Sequence, residues 1–438
     1  MTLFGFLLSS VLLFNFCLSI EGAAASSRDS IVSIQQESLQ EIISYAREYR
    51  RDTTLPSQEE ELRQKNILEQ IFTRLKKYNS YSSLENGVRG FLADELSLNE
   101  YDYSIVDANL TAVGGKSQDT VFLVKDSARH VCYVVKAFRS PKDLTSMFIQ
   151  EISALDLIEQ LSLPGVVPIK PIAFASYSNQ DEEWGLLLET AAKGERIDQF
   201  IYQLGSLEPG SKERMTFLKT CQGVFQRMAE SFAKLHDRKS LQSYSIPEIA
   251  LTRYQKSIPT ILESSFIIGE LEKHFSSDDF LQYVEKIKAE AVTVPLFYSY
   301  WHGDAHLGNM FYDQINNAFY FIDVANLHHA VSMKEEPLLD GTADLVEIDE
   351  SLRARAIGQL SENEVEALLK SFYETYEKCS GQKIDQQILL FHRTYKKLSR
   401  LETYSKYIDE KDPKKRSSDK AIFDDAVEYF ANQIAIKK

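Results

Sequence analysis

Between residues 103 and 190 the chain alternates short β-rich runs with one amphipathic helix, and on either side of that stretch it reads helical. This order narrows the fold more than any other feature. TVFLVKD (120–126) and HVCYVVKAF (130–138) are β-branched and aromatic and flank the polar turn SAR, which predicts a hairpin. SMFIQEISALDLIEQL (146–161) has helical spacing. VVPIKPIAFASYS and WGLLLET then read as strands. Upstream, Ile31, Ile34, Leu39, Ile42 and Ile43 recur at helical spacing, as do Leu62, Ile67, Ile71, Phe72 and Leu75, with Pro56 near the second helix start. After residue 195 helical patterns dominate. LFYSYWHGD (296–304) and NAFYFIDVAN (317–326) interrupt them and are expected to be strands flanking a loop. DEKDPKKRSSDK (409–420) reads as a charged, exposed loop. The expectation is an α+β chain: a helical extension over 26–100, a small β-rich lobe over 101–192 and a helical lobe over 193–438. A cleft between two such lobes is a natural ligand site.

The 438 residues carry a formal net charge of -15, which argues against a general nucleic-acid binder. Residues 3–20 are uncharged and mostly apolar, and Ala23, Ala24 and Ala25 follow. That pattern predicts a secretory signal peptide over 1–25, which would place the chain outside the cell or in a secretory lumen. The alternative is an uncleaved anchor, the one case that would bring the chain to a membrane. Outside Cys17, the three cysteines Cys132, Cys221 and Cys379 are widely spaced, which suits small-hydrophobe packing better than a disulfide or zinc framework. Asn109 opens the sequon NLT.

The polar residues that could do chemistry gather between 302 and 326. Asp304 and Asn309 stand as D-x4-N, and Asp323 ends the run FYFID. Phosphoryl transfer from ATP needs such a set: one carboxylate to orient or deprotonate the attacking hydroxyl, and an amide oxygen with a second carboxylate to hold Mg²⁺ against the phosphates. The D-x4-N spacing is that of the protein-kinase catalytic loop, and Asp323 stands where the metal-binding aspartate would. The same chemistry makes upstream demands. A strand lysine is supplied by Lys136 in CYVVKAF, and a helix glutamate to pair with it by Glu151. Gly114, Gly115 and Ser117, ahead of a strand, could lay backbone N–H groups over phosphates. Backbone from Glu189 to Ala191, after an apolar strand, would meet the adenine edge. Each piece alone is common; their order and context together point to a bilobal, protein-kinase-like fold.

HGDAHLGNMF, followed by FYFIDVAN, resembles the Brenner motif, H-G-D-x-H-x-G-N, of the aminoglycoside phosphotransferase and choline kinase superfamily. DGTADLVEI resembles the stretch that usually follows it, and MAESFAKLHD resembles the family's helix end, with His236 as its histidine. The resemblance spans roughly 103–380. It implies Asp304 as catalytic base, Asn309 and Asp323 as Mg²⁺ ligands, Lys136 on the ATP phosphates and Glu151 positioning Lys136. Gly303 stands where protein kinases carry an arginine that can meet a phosphorylated activation loop, so no such control is expected. Ala325 stands where many choline-kinase-like relatives have a second acid, which leaves the acceptor open.

His302, Asp304 and His306 alternate, and on an extended strand they could share a face and ligate zinc, the metallohydrolase alternative. That alternative leaves Lys136, Glu151 and the glycine turn without a role. The leading expectation is transfer of the ATP γ-phosphate to a small-molecule hydroxyl. A protein acceptor and a pseudokinase binding module are the other readings. ATP is scarce outside the cytosol, so a signal peptide on such an enzyme implies a lumenal site, export into another cell, or a membrane anchor with the domain left in the cytosol.

Overall fold

The computed structural model describes residues 39–52, 54–96, 103–107, 120–143, 147–179, 182–237, 240, 242–332, 334–405 and 413–436. The expected signal segment, the sequon at Asn109 and the turn with Gly114, Gly115 and Ser117 lie outside the described residues. The architecture is α+β, as expected. Contacts divide the described residues into two compact units. One draws on the described residues within 39–49, 56–152 and 171–190, the other on those within 50–55, 153–170 and 191–436.

The first unit is built on a six-stranded sheet. Its strands are β1 (Lys76–Lys77), β2 (Tyr103–Asp107), β3 (Thr120–Asp126), β4 (Val131–Arg139), β5 (Pro171–Ser178) and β6 (Glu183–Thr190), in the order β1-β5-β6-β4-β3-β2. All neighbours are antiparallel except β1 and β5. The two-residue period of a strand sorts its side chains. Val135 and Ala137 of β4 and Leu186 and Leu188 of β6 enter one core cluster with Val88, Phe91 and Leu92 of helix α2 (Leu84–Leu96). The intervening residues face the other way. There Phe138 meets Phe148 of helix α3 (Met147–Leu161), with ring centroids 5.7 Å apart. Gly185, opposite Phe138 in the ladder, lets that helix come close: a Cβ there would lie 2.9 Å from the Phe148 ring. Helix α1 (Ser57–Arg74) buries Ile67, Leu68, Ile71 and Phe72, while Leu62, expected on the same face, is exposed. Residues 56–96, expected as a separate extension, belong to this unit.

The second unit is mostly helical. It holds α4 (Ile197–Ser206), α5 (Lys212–Leu235), α6 (Glu248–Glu263), α7 (Ser265–Leu271), α8 (Ser277–Ala291), α9 (Thr342–Ala356), α10 (Glu362–Ser380), α11 (Gln386–Ser405) and α12 (Pro413–Ala435). A small sheet orders β7 (Glu195–Arg196), β8 (Met310–Asp313) and β9 (Ala318–Phe321) as β7-β8-β9. One core cluster packs α6, α7, α8, α11 and α12, with Tyr254 stacked on Phe391 at 4.8 Å. Buried charge ties α9 to α11: Glu350 meets Lys397 at 2.8 Å and Arg400 at 2.7 Å.

Two local expectations fail here. Residues 296–304 form no strand; only isolated bridges at Leu296 and Ser299 occur. The ladder is instead the hairpin β8–β9, which follows the polar loop rather than flanking it. Asp313 closes its turn by accepting the N–H groups of Ile315 and Asn316 at 2.9 and 3.1 Å. Residues 413–420 are not a loop but the start of α12. Pro413 suits a first helical position, where its fixed φ is pre-set and its missing N–H is no loss. Among the described residues no helix is long and apolar enough to cross a membrane.

Candidate active site

In the first unit the strand period aims Lys136 of β4 away from the core cluster, toward α3. Its Nζ lies 2.6 Å from Glu151 Oε1. Leu187 pairs with Lys136 across the ladder, so Glu189, two residues along β6, shares its face, with Oε1 3.4 Å from Nζ. All three side chains are buried. A buried cation is tolerated only when paired and hydrogen-bonded, and here one ammonium stands between two carboxylates. The ladder thus places the Glu189 side chain on the lysine, a contact the sequence reading had not assigned to it. Ala191, expected with Glu189 at the adenine edge, is buried and belongs to the second unit.

In the second unit the loop from Trp301 to Asn309 carries the polar set. Gly303 adopts a left-handed φ of 82°, a conformation that favours glycine. A Cβ there would lie 2.6 Å from Asn326 Cβ. This kink breaks the strand on which His302, Asp304 and His306 would have shared a face, and among the described residues no His, Cys, Asp or Glu cluster is arranged for a metal ion. His306 instead caps the short 3₁₀ turn over Leu307–Asn309, its Nδ1 accepting the Gly308 N–H at 3.0 Å.

That turn brings Asn309 back onto Asp304. Asn309 Nδ2 donates to the Asp304 carbonyl and to Asp304 Oδ2, both at 3.0 Å. With the amide nitrogen so engaged, Asn309 Oδ1 is the atom left to face a cation. The Ile322 N–H donates to the Asn309 carbonyl at 3.0 Å, which holds the residue before Asp323 against the loop. Asp323 is exposed and has φ 52°. A non-glycine residue in that region is uncommon and is found often at functional sites. An amide oxygen and a carboxylate are hard oxygen donors, and Mg²⁺ is usually held by one or two such groups plus phosphates. The residues present fit that ion.

The loop has a buried brace that the sequence reading did not assign. Asp344, in the first turn of α9, accepts the N–H of His302 on Oδ2 at 2.5 Å and that of Gly303 on Oδ1 at 2.9 Å. His236, the C-cap of α5, reaches Asp344 Oδ2 with Nε2 at 3.3 Å and Tyr376 with Nδ1 at 2.9 Å. Leu307 N–H donates to Ser351 Oγ, also on α9, at 3.0 Å. The two stretches DGTADLVEI and MAESFAKLHD therefore meet through Asp344 and His236. Their presence in the sequence was the only signal for either residue.

A cavity of about 180 Å³ opens beside Asp304, walled by residues of the second unit including Ile249, Arg253, Trp301, Glu347, Tyr395 and Lys396. Burial opposes the Lys396 charge, but Glu347, 2.5 Å away, outweighs it and raises the ammonium pKa, with Asp304 adding to the effect. Asp340, on the same wall, bonds His392 at 2.7 Å. Burial would raise its carboxyl, yet the His392 bond and the Thr342 N–H hold it below the ordinary value. Among the described cysteines only Cys221 is buried, and burial pushes its thiol up to about 12; Cys132 and Cys379 are free and exposed, not packed as expected.

No family model matches the sequence, and no curated protein matches it. Among solved structures the chain is similar to a glucosamine kinase in complex with glucosamine, ADP and inorganic phosphate, at 13% identity over 78% of this chain and 84% of that chain, with a TM-score of 0.46. It is also similar to the GDP complex of a wild-type aminoglycoside 2'-phosphotransferase, at 10% identity over 79% of this chain and 99% of that chain, with a TM-score of 0.43.

Proposed function

We propose that this chain is an ATP- and Mg²⁺-dependent phosphotransferase acting on a hydroxyl of a small molecule. The observation that carries the reading is the Asn309 amide bonded to Asp304 Oδ2 at 3.0 Å on a loop tied to the residue preceding Asp323. A base and two metal-type oxygen donors thus lie within twenty residues of chain, Asp304 and Asn309 on that loop and Asp323 just after β9. Asp304 Oδ2 is held by Asn309, so Oδ1 is the atom to accept the acceptor's hydroxyl proton. The acceptor oxygen then bonds the γ-phosphorus, the bond to the β–γ bridging oxygen breaks, and ADP leaves. Asn309 and Asp323 would hold Mg²⁺, which draws charge from the phosphates. Lys136, fixed by Glu151, would meet the phosphates of the bound nucleotide. The cavity beside Asp304 gives this reading a place for the acceptor, and its small volume favours a small molecule over a protein segment.

Calorimetry of the full chain with ATP, with and without Mg²⁺, tests this. The wild type should bind Mg–ATP more tightly than free ATP, and Asp323→Asn should lose that difference. Equal affinities in the wild type would count against the reading.

A further inference from the structure

We infer that the acceptor is a small anionic hydroxyl compound, and that Arg253 recognises its carboxylate or phosphate group. This rests on the phosphotransferase reading and names the substrate class of the same site.

Most charges on the cavity wall are already engaged. Asp344 spends both oxygens on the His302 and Gly303 N–H groups and on His236. Asp340 accepts from the Thr342 N–H at 3.0 Å and bonds His392. Glu347 takes Lys396. Asp304 is reserved for the reacting hydroxyl. None of the remaining carboxylates is open to a cationic acceptor. Arg253, exposed on α6, makes no side-chain hydrogen bond or ion pair among the described residues. Carboxylates outnumber cations in this chain, 64 to 49, so a cation left unpaired on a wall with four acids stands out. A guanidinium binds carboxylate and phosphate through paired N–H donors. The cavity therefore offers a ligand donors and cationic charge, together with the one carboxylate that takes the proton. Trp301, Tyr395, Ile249 and Ala250 supply apolar wall for a carbon skeleton. At about 180 Å³ it is smaller than the roughly 300–1,000 Å³ typical of drug-sized sites, so the compound is small.

The test is calorimetry of the full chain without nucleotide. The probes are D-glycerate and D-gluconate for carboxylates, glycerol 3-phosphate and glucose 6-phosphate for phosphates, and glycerol, D-glucose and D-glucosamine as neutral and cationic counterparts. At least one anionic probe should bind about tenfold or more tightly than its neutral counterpart; which arm responds identifies the anion. Arg253→Ala should abolish the preference and Arg253→Lys retain part of it, with circular dichroism confirming that both variants fold. Equal binding of neutral probes, tighter binding of glucosamine, an Arg253→Ala variant that keeps the preference, or no binding of any anionic probe each overturns the inference. Arg253-dependent anion binding in a chain that transfers no phosphate upholds it while removing the phosphotransferase reading. Transfer to glycerol, glucose or glucosamine that is indifferent to Arg253→Ala does the reverse.

Discussion

Asp344 Oδ2 accepts the main-chain N–H of His302 at 2.5 Å, so a carboxylate forty-two residues downstream fixes the loop that carries Asp304. The same side chain takes the Gly303 N–H and meets His236. Removing it orphans buried donors, at about 1–3 kcal/mol each. Asp344→Ala should therefore lower the unfolding free energy by roughly 3 kcal/mol, read by urea denaturation. Asp344→Asn, which keeps shape and one acceptor oxygen, should lose less. A stability unchanged in both variants would show that the brace is not needed.

Gly303 should not tolerate alanine. Its φ of 82° and the 2.6 Å approach of a Cβ to Asn326 both oppose the substitution. The expected cost is about 1–3 kcal/mol, accompanied by loss of phosphoryl transfer because the kink sets the position of Asp304. Gly358 has a similar φ of 69° but open space where a Cβ would go, so Gly358→Ala serves as the control for backbone strain alone.

Lys136 and Glu151 should behave as one unit. Lys136→Met leaves Glu151 and Glu189 buried beside a neutral chain, and breaking a buried pair costs about 3–5 kcal/mol. Glu151→Gln is expected to cost less, because Glu189 remains near the ammonium. The double variant should show a coupling of about 1–3 kcal/mol in denaturation. Additive losses would mean the contact carries no net energy.

The lysine, the helix glutamate and the D-x4-N pair were legible in the sequence because each sits in a local pattern: a β-branched strand, an amphipathic helix, a loop before an aromatic run. The brace was not. Asp344 and His236 are a hundred and eight residues apart, and nothing local in either segment announces the other. The segment 296–304 reads as a strand for its aromatic residues, but a strand needs one continuous partner, and Leu296 bridges Tyr244 while Ser299 bridges Leu339, so no ladder forms. Residues 413–420 read as a loop from their charge, although charged residues with a leading proline also start helices. Glu189 was expected to act through its backbone; only the ladder register with β4 reveals its side chain on Lys136.

Acid should remove a defined share of stability. The Arg214 hydrogen bond holds the Glu364 carboxyl down, from 4.5 to about 2. A depressed carboxyl stabilises the fold above its unfolded value and loses that contribution as pH falls through the folded value. The loss from this pair therefore falls between pH 4.5 and about 2. Arg214 also bonds the Leu207 and Gln359 carbonyls, so Arg214→Ala should be less stable at neutral pH and show a shallower decline over that window. A parallel decline in wild type and variant would exclude Glu364 as its source.

In the proposed mechanism Asp304 takes a proton during phosphoryl transfer. Transfer of label from γ-labelled Mg–ATP, across a panel of neutral, cationic and anionic small hydroxyl compounds, tests it most directly. The wild type should label at least one compound, and Asp304→Ala should fall about 10²–10⁴-fold, the usual contribution of a general base. Equal, background-level labelling by wild type and Asp304→Ala across the whole panel would contradict the account.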